Sequence, residues 1–415
     1  MDTIMANYGF FIPAPDEVEN ERTRIDLTLG LDDVVNYYRE MTVPGIGGLE
    51  FVREASWAVA GIALSKEIPG KNATEIANAI EAVGCRLYYN AEGKNYKYRG
   101  VRAFSRNNRE PLLSFKDYDK KNRKKNYVWI TYRQNIVSSL TLLGLCEKST
   151  RFNQMVLSEK GQALKDAFLG QKKNKKLFVE TALLKWVNGN QNFDDSWVNF
   201  LGPAKPSKEE REVMFYILNS DCKEGYKYPF ASSRRTRLNE IMENLKIINK
   251  KNIIRELKQS GFEADKEYAN QIEASDCFDK LRTAAANLLK SCVNVVISNN
   301  SQNLPLDECL KDEIVCEKLA ELKKTDELYQ KAIDECRNEN MPGNGLLEII
   351  HEKDAREIVS SIILKQRTIL ELENGNISPG SLFDAFKQRA DSEEEFVLSR
   401  MEQWIKLWKD TKGYN

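Results

Sequence analysis

The 415-residue chain is 41% hydrophobic and 30% charged, the balance of a globular protein with room for roughly two or three domains that each bury a core. Basic and acidic residues number 62 each, so any attraction to a polyanion must come from uneven placement of charge. No apolar run approaches the roughly 20 residues of a membrane span, and residues 1–15 lack the basic, apolar and small-residue regions of a signal peptide, so a cytoplasmic protein with no membrane partner is expected.

Residues 1–46 read as an irregular segment punctuated by Pro13, Pro15 and Pro44, with one short helix near Asp32–Tyr38. A helix is predicted over Leu49–Glu67, where Phe51, Ala55, Val59 and Ile62 share a face. Asn72, with Glu75 three residues on, is the expected N-cap of a second helix that ends at Gly84. A hairpin is predicted next, Cys85–Tyr89 against Asn95–Val101.

From Lys94 to Arg133 the charge is lopsided: thirteen Lys or Arg against three Asp or Glu, a net of +10 in forty residues. The same stretch carries eight aromatics, among them Tyr98, Phe115 and Tyr118. Cations of this density neutralise phosphates, while the aromatics either stack on exposed bases or anchor the segment to a core. Residues 301–415 hold sixteen basic against twenty-four acidic residues, a net of −8.

A helix is predicted over Gln134–Leu143, with Val137, Leu140 and Leu143 on its apolar face and Gly144 ending it in the left-handed conformation. Two short strands follow, Leu145–Lys148 and Met155–Ser158, around a polar turn that carries Arg151; Glu159-Lys-Gly161 then starts a helix to Leu169. This order, with Leu140-Thr-Leu-Leu-Gly-Leu145 and Leu157-Ser-Glu-Lys-Gly161, resembles the winged-helix DNA-binding family over residues 127–168, about a tenth of the chain. The resemblance implies that Gln134, Ser138 and Ser139 face a groove and that Arg151 lies in the wing. The helix–helix–hairpin order predicted for residues 49–101 raises the expectation of a second, tandem unit, with Lys94, Lys97 and Arg99 on or beside its wing.

Beyond Gly202-Pro203 the chain is expected to be helical and acidic, opening with a Ser207 cap and an acidic first turn. Helices are predicted over 208–218, 234–244, 253–259, 269–296, 306–337, 345–370 and 393–409. Trp404 and Trp408, one turn apart, are either core or an anchor for a partner subunit. The domain organisation expected is therefore an irregular 1–46, a basic winged-helix-like 47–200 and a helical, acidic 205–415, a mainly α fold with small β hairpins.

Catalytic signals are sparse. Eight cysteines include no Cys-x-x-Cys pair and the only histidine is His351, so neither a metal nor another cofactor is expected. His351 has Glu348 and Asp354 three residues to either side as partners on its helix face. Glu92-Gly-Lys94 matches the tail of a metal-nuclease motif that also needs an upstream carboxylate, for which Glu75 and Glu81 are the nearest.

The expectation is a non-catalytic DNA-binding subunit with little sequence specificity and protein partner subunits. Its phosphate contacts would be Lys94, Lys97, Arg99, Arg102, Lys120, Lys121, Arg123, Lys124 and Lys125, with Gln134, Ser138 and Arg151 from the winged-helix-like unit. A magnesium-dependent nuclease and a protein-docking subunit remain open beside it. The mosaic of winged helix and large helical region also resembles accessory subunits of restriction or antiviral defence systems.

Overall fold

The computed structural model describes residues 28–93, 98, 114–118, 134–147, 149, 151–173, 176–220, 231–299, 303–336, 341–390 and 399–414. These residues are mainly helical with small antiparallel sheets. In chain order the helices before the first strand are α1 (Asp32–Thr42), α2 (Val52–Leu64), α3 (Ala73–Glu92), α4 (Gln134–Leu142) and α5 (Glu159–Leu169). Strands β1 (Lys172–Lys173) and β2 (Leu177–Phe178) follow, then α6 (Val179–Val187), α7 (Val198–Leu201), α8 (Lys208–Asn219), α9 (Ala231–Asn244), α10 (Lys250–Gln259) and α11 (Glu263–Ser298). The remainder runs β3 (Leu304–Pro305), α12 (Leu306–Cys309), α13 (Glu313–Asp334), α14 (Gly345–Glu352), α15 (Ala355–Lys365), β4 (Leu370–Glu373), β5 (Asn376–Pro379), α16 (Phe383–Ala390) and α17 (Arg400–Lys412). No helix among the described residues is long and apolar enough to cross a membrane.

The chain divides into two compact units. Unit 1 takes residues 1–37 and 273–396, and unit 2 takes 38–272 and 397–415. The segments 205–272 and 397–415, grouped in sequence with the acidic C-terminal region, thus pack inside unit 2, where α8 lies against α5 and α17.

Unit 2 is built around the pair α2 and α3. Both are alanine-rich, and a Cβ on Gly61 would come within 2.4 Å of the Ala77 Cβ, so the small side chains set a close helix approach. Asn72 caps α3 as predicted, its side chain accepting from Glu75 N–H at 2.9 Å. The predicted end at Gly84 is corrected: α3 runs on to Glu92, and Cys85–Tyr89 are helix. Gly84 is there for packing, since a Cβ would sit 2.2 Å from the Leu201 carbonyl oxygen, which also accepts from Trp57 Nε1 at 3.2 Å. The predicted hairpin loses its first strand to α3, and with it the hairpin of the tandem second unit; residues 95–97 and 99–101 lie outside the described residues.

The C-terminal helix α17 closes this core. Trp404 and Trp408 are 0% and 2% exposed, so the expected partner anchor is corrected: both indoles are core, with no surface to offer. A buried charge cluster sits beside them. The fully buried pair Arg53 and Glu210 meets at 3.3 Å, and the Arg53 guanidinium also donates to the Phe200 and Lys205 carbonyls. Glu210 accepts further from Gln171 Nε2 at 3.0 Å and from the N–H of Ser207, the expected cap of α8, at 2.8 Å. Asp410 of α17 accepts the Val52 N–H at 2.8 Å, at the start of α2. Burial pushes its carboxyl up to about 7, against the opposing pull of the Val52 N–H hydrogen bond, Arg53 and Arg211.

Unit 1 carries the three-stranded sheet, ordered β3-β5-β4 and antiparallel throughout. Two helices predicted to be continuous are interrupted. Asp312 caps α13 by accepting from Ile314 and Val315 N–H at 2.9 and 3.1 Å, which splits 306–337. Asp354 caps α15, and Lys323 Nζ donates to the Ile350, His351 and Lys353 carbonyls at the end of α14, which splits 345–370. After α15 the chain enters the β4–β5 hairpin, turned at Asn374 and Gly375 with φ of 50° and 80°, the two left-handed positions of a type I′ turn.

Candidate nucleic-acid interface

The unit at 134–169 keeps the predicted order. Gly144 follows α4 at φ 69°, the left-handed end expected of it. The two predicted strands shrink to one antiparallel bridge, Cys146 with Leu157, flanked by Glu147 N–H to Val156 O at 2.9 Å and Ser158 N–H to Leu145 O at 3.0 Å. Ser158 caps α5, accepting from Gly161 N–H at 3.1 Å and donating to the Gly144 carbonyl at 2.5 Å. A Cβ on Gly161 would lie 2.0 Å from the Leu145 carbonyl oxygen, so the glycine lets the start of α5 press against the bridge. Burial also pushes the Cys146 thiol up to about 12, leaving it a packing residue at neutral pH.

On α4 and just past its end, Ile136, Val137, Ser139, Leu140 and Leu143 are buried. At about 100° per residue these positions share one arc of the helix, and Ser138, Thr141 and Leu142 occupy the half-exposed remainder. Ser139 is therefore corrected from a groove-facing residue to a docking one. Its hydroxyl accepts the Gly48 N–H at 3.0 Å, and a Cβ on Gly47 would come within 2.0 Å of the same oxygen. Ser138 stays half-exposed; the side chain of Gln134 lies outside the described ones.

Arg151 is exposed in the turn, with no side-chain partner among the described residues. The turn itself is held down. Phe152 is buried, and Asn153 Oδ1 accepts from the N–H and hydroxyl of Thr74 at 2.8 and 2.7 Å, in the first turn of α3.

The nine basic residues from Lys94 to Lys125 assigned to phosphates lie outside the described residues. The points that bracket and pin their segment are described. It leaves from the end of α3 and re-enters at α4, both in unit 2. Tyr98 packs 4.6 Å from the Phe51 ring and 5.3 Å from Tyr88. Phe115 is 3% exposed, edge-on to Trp186 at 5.2 Å, with Lys71 Nζ 4.9 Å from its ring centroid. These two aromatics anchor to the core and are not stacking platforms. From Trp186 a row of rings continues through Phe193 and Trp197 at 5.0 Å per step to Phe200 at 5.7 Å.

The other chemical candidates resolve differently. His351 Nδ1 pairs at 3.0 Å with Asp326 of α13, a residue 25 positions away, and not with Glu348 or Asp354; the latter is committed to capping α15. Glu75 pairs with Lys71 at 2.7 Å, and Glu81 is buried within α3. No cluster of three or more His, Cys, Asp or Glu side chains fit to hold a metal occurs among the described residues. No protein-family model matches the chain, nor does any curated protein or solved structure.

Proposed function

We propose that unit 2 is a nucleic-acid-binding module that grips the phosphate backbone with little sequence specificity, as a non-catalytic subunit. The observation that carries the reading is the placement of charge: a net of +10 over residues 94–133, inserted between α3 and α4 and pinned to the core at Tyr98 and Phe115. Anchoring such a segment near its start at Tyr98 and near its middle at Phe115 reduces the entropy lost when its cations meet a polyanion. The exposed Arg151 in the turn after α4 adds a further cation on unit 2. Low specificity is supported by the described side chains of α4: the half-exposed ones are Ser138, Thr141 and Leu142, none of them a bidentate reader of base edges.

The test is binding of labelled duplex and single-stranded DNA across a salt series, using the full chain and a variant with Lys120, Lys121, Arg123, Lys124 and Lys125 changed to Gln. Each lost phosphate contact lowers the slope of log K against log salt by about 0.9 on duplex and about 0.7 on a single strand. Weakened binding with a shallower slope is expected. Unchanged affinity and slope would remove these five residues from the interface, and a wild type that binds neither DNA would sink the reading.

A further inference from the structure

After α5 the chain turns into β1 and β2, paired antiparallel with Lys172 opposite Phe178 and Lys173 opposite Leu177. The five residues Lys172–Lys176 contain four lysines and no acidic residue. Concentrating like charges on so short a hairpin is unfavourable unless counter-charge is supplied. Lys173 has such a partner in Asp194, at 3.4 Å, and its Nζ lies 4.5 Å from the Trp197 ring centroid. Lys172 and Lys176 are exposed and have no carboxylate partner among the described residues.

The hairpin also holds out an aromatic ring. Phe178 is 41% exposed, and the Lys172 Nζ sits 4.5 Å from its ring centroid. An isolated exposed Phe is ordinary, and so is an isolated lysine. An exposed ring beside an uncompensated ammonium group, with a second exposed lysine on the same hairpin, offers both contacts that a single strand makes, phosphate neutralisation and base stacking. A duplex presents its phosphates but keeps its base faces stacked inside. The location fits as well. Trp197, beneath Lys173, belongs to the ring row that reaches Phe115 in three steps of about 5 Å, so a continuous row of rings links the hairpin to a point where the basic segment is pinned.

We infer that the β1–β2 hairpin is a single-strand nucleic-acid contact in which Lys172 and Lys176 meet phosphates and Phe178 stacks on a base. The inference rests on the nucleic-acid reading of unit 2. It is tested by fluorescence anisotropy of a labelled twenty-nucleotide oligo-dT and a duplex of equal length, with the full chain and two variants. Phe178→Leu keeps an apolar side chain and removes the aromatic face; K172Q/K176Q removes two exposed cations. Circular dichroism checks that both keep the wild-type helix content.

Stacking on one aromatic side chain is worth at least about fivefold in affinity, so Phe178→Leu is expected to weaken oligo-dT binding by that factor and leave duplex binding unchanged. K172Q/K176Q is expected to make the oligo-dT salt slope shallower by about 1.4, or 0.7 per phosphate contact. If the wild type binds oligo-dT and both variants bind it equally well with the same slope, the hairpin inference is overturned. The reading of the 94–133 segment still stands in that case, provided its own five-residue variant is weakened. If the wild type binds neither oligonucleotide, that reading fails and this inference falls with it.

Discussion

Asp410 offers a sharp test of how unit 2 is held together. Its carboxylate lies in the core, 6% exposed, accepting the Val52 N–H and facing Arg53, Glu210 and Arg211. Desolvation outweighs the Val52 N–H hydrogen bond and the two arginines, and the folded-state value rises from 3.8 to about 7. A raised value means that the folded state binds the proton more tightly than the unfolded chain does. The stability from this group is therefore fully present below about pH 4 and is lost as pH climbs through 7. At about 1.4 kcal/mol per pH unit of displacement, the loss has a ceiling of about 4 kcal/mol. Asp410→Asn keeps an oxygen to accept the Val52 N–H and removes the titration. Thermal unfolding followed by circular dichroism from pH 5 to pH 8.5 should show the wild type losing stability with rising pH and the variant staying flatter. At pH 8 the variant's Tm should be higher by several degrees, since about 1 kcal/mol moves Tm by roughly 2–4 °C in a domain of this size. A variant less stable than the wild type at pH 8 would refute the reasoning, because it would mean that Arg53 and Arg211 hold the charged carboxylate more tightly than burial penalises it.

Arg53→Ala should be far more damaging. It strands the Glu210 carboxylate in a site with 0% exposure, and loss of one partner of a buried ion pair costs about 3–5 kcal/mol; urea unfolding of the variant within 1 kcal/mol of wild type would contradict the cluster's role. Gly84→Ala should destabilise despite alanine's better helix propensity, because its Cβ would press against the Leu201 carbonyl at 2.2 Å. A loss of about 1–3 kcal/mol is expected from such overpacking, and a gain in denaturant midpoint would show that the contact yields freely.

Local signals were legible where the interaction deciding them is also local. Asn72, Ser207 and Gly144 stand at helix ends as expected, because capping and left-handed turns depend on a residue and its near neighbours in sequence. Glu159–Leu169 forms a helix over the predicted span for the same reason. Asn374-Gly375 is a hairpin signal of the same local kind, but its flanking strands are only four residues each and lie between the helices predicted over 345–370 and 393–409, where no hairpin is expected. Gly84 shows the opposite case. Locally it looks like a terminator, and only the Leu201 carbonyl, 117 residues away, explains a glycine inside α3.

For the site, charge density and the α4-to-α5 order are properties of the sequence by itself, because composition and periodicity need no partner in space. So is the contrast between the basic 94–133 stretch and the acidic tail. Tertiary structure alone decided which polar residues are spent on packing. Ser139 is taken by the Gly47–Gly48 loop, His351 by Asp326, and Trp404 and Trp408 by the core of unit 2. It also decided that Tyr98 and Phe115 are anchors while Phe178 is an exposed ring among lysines. The physical reason is the same throughout: a side chain's chemistry is written in its own residue, but burial and hydrogen-bond partners come from segments distant in the chain, which one-dimensional periodicity does not encode.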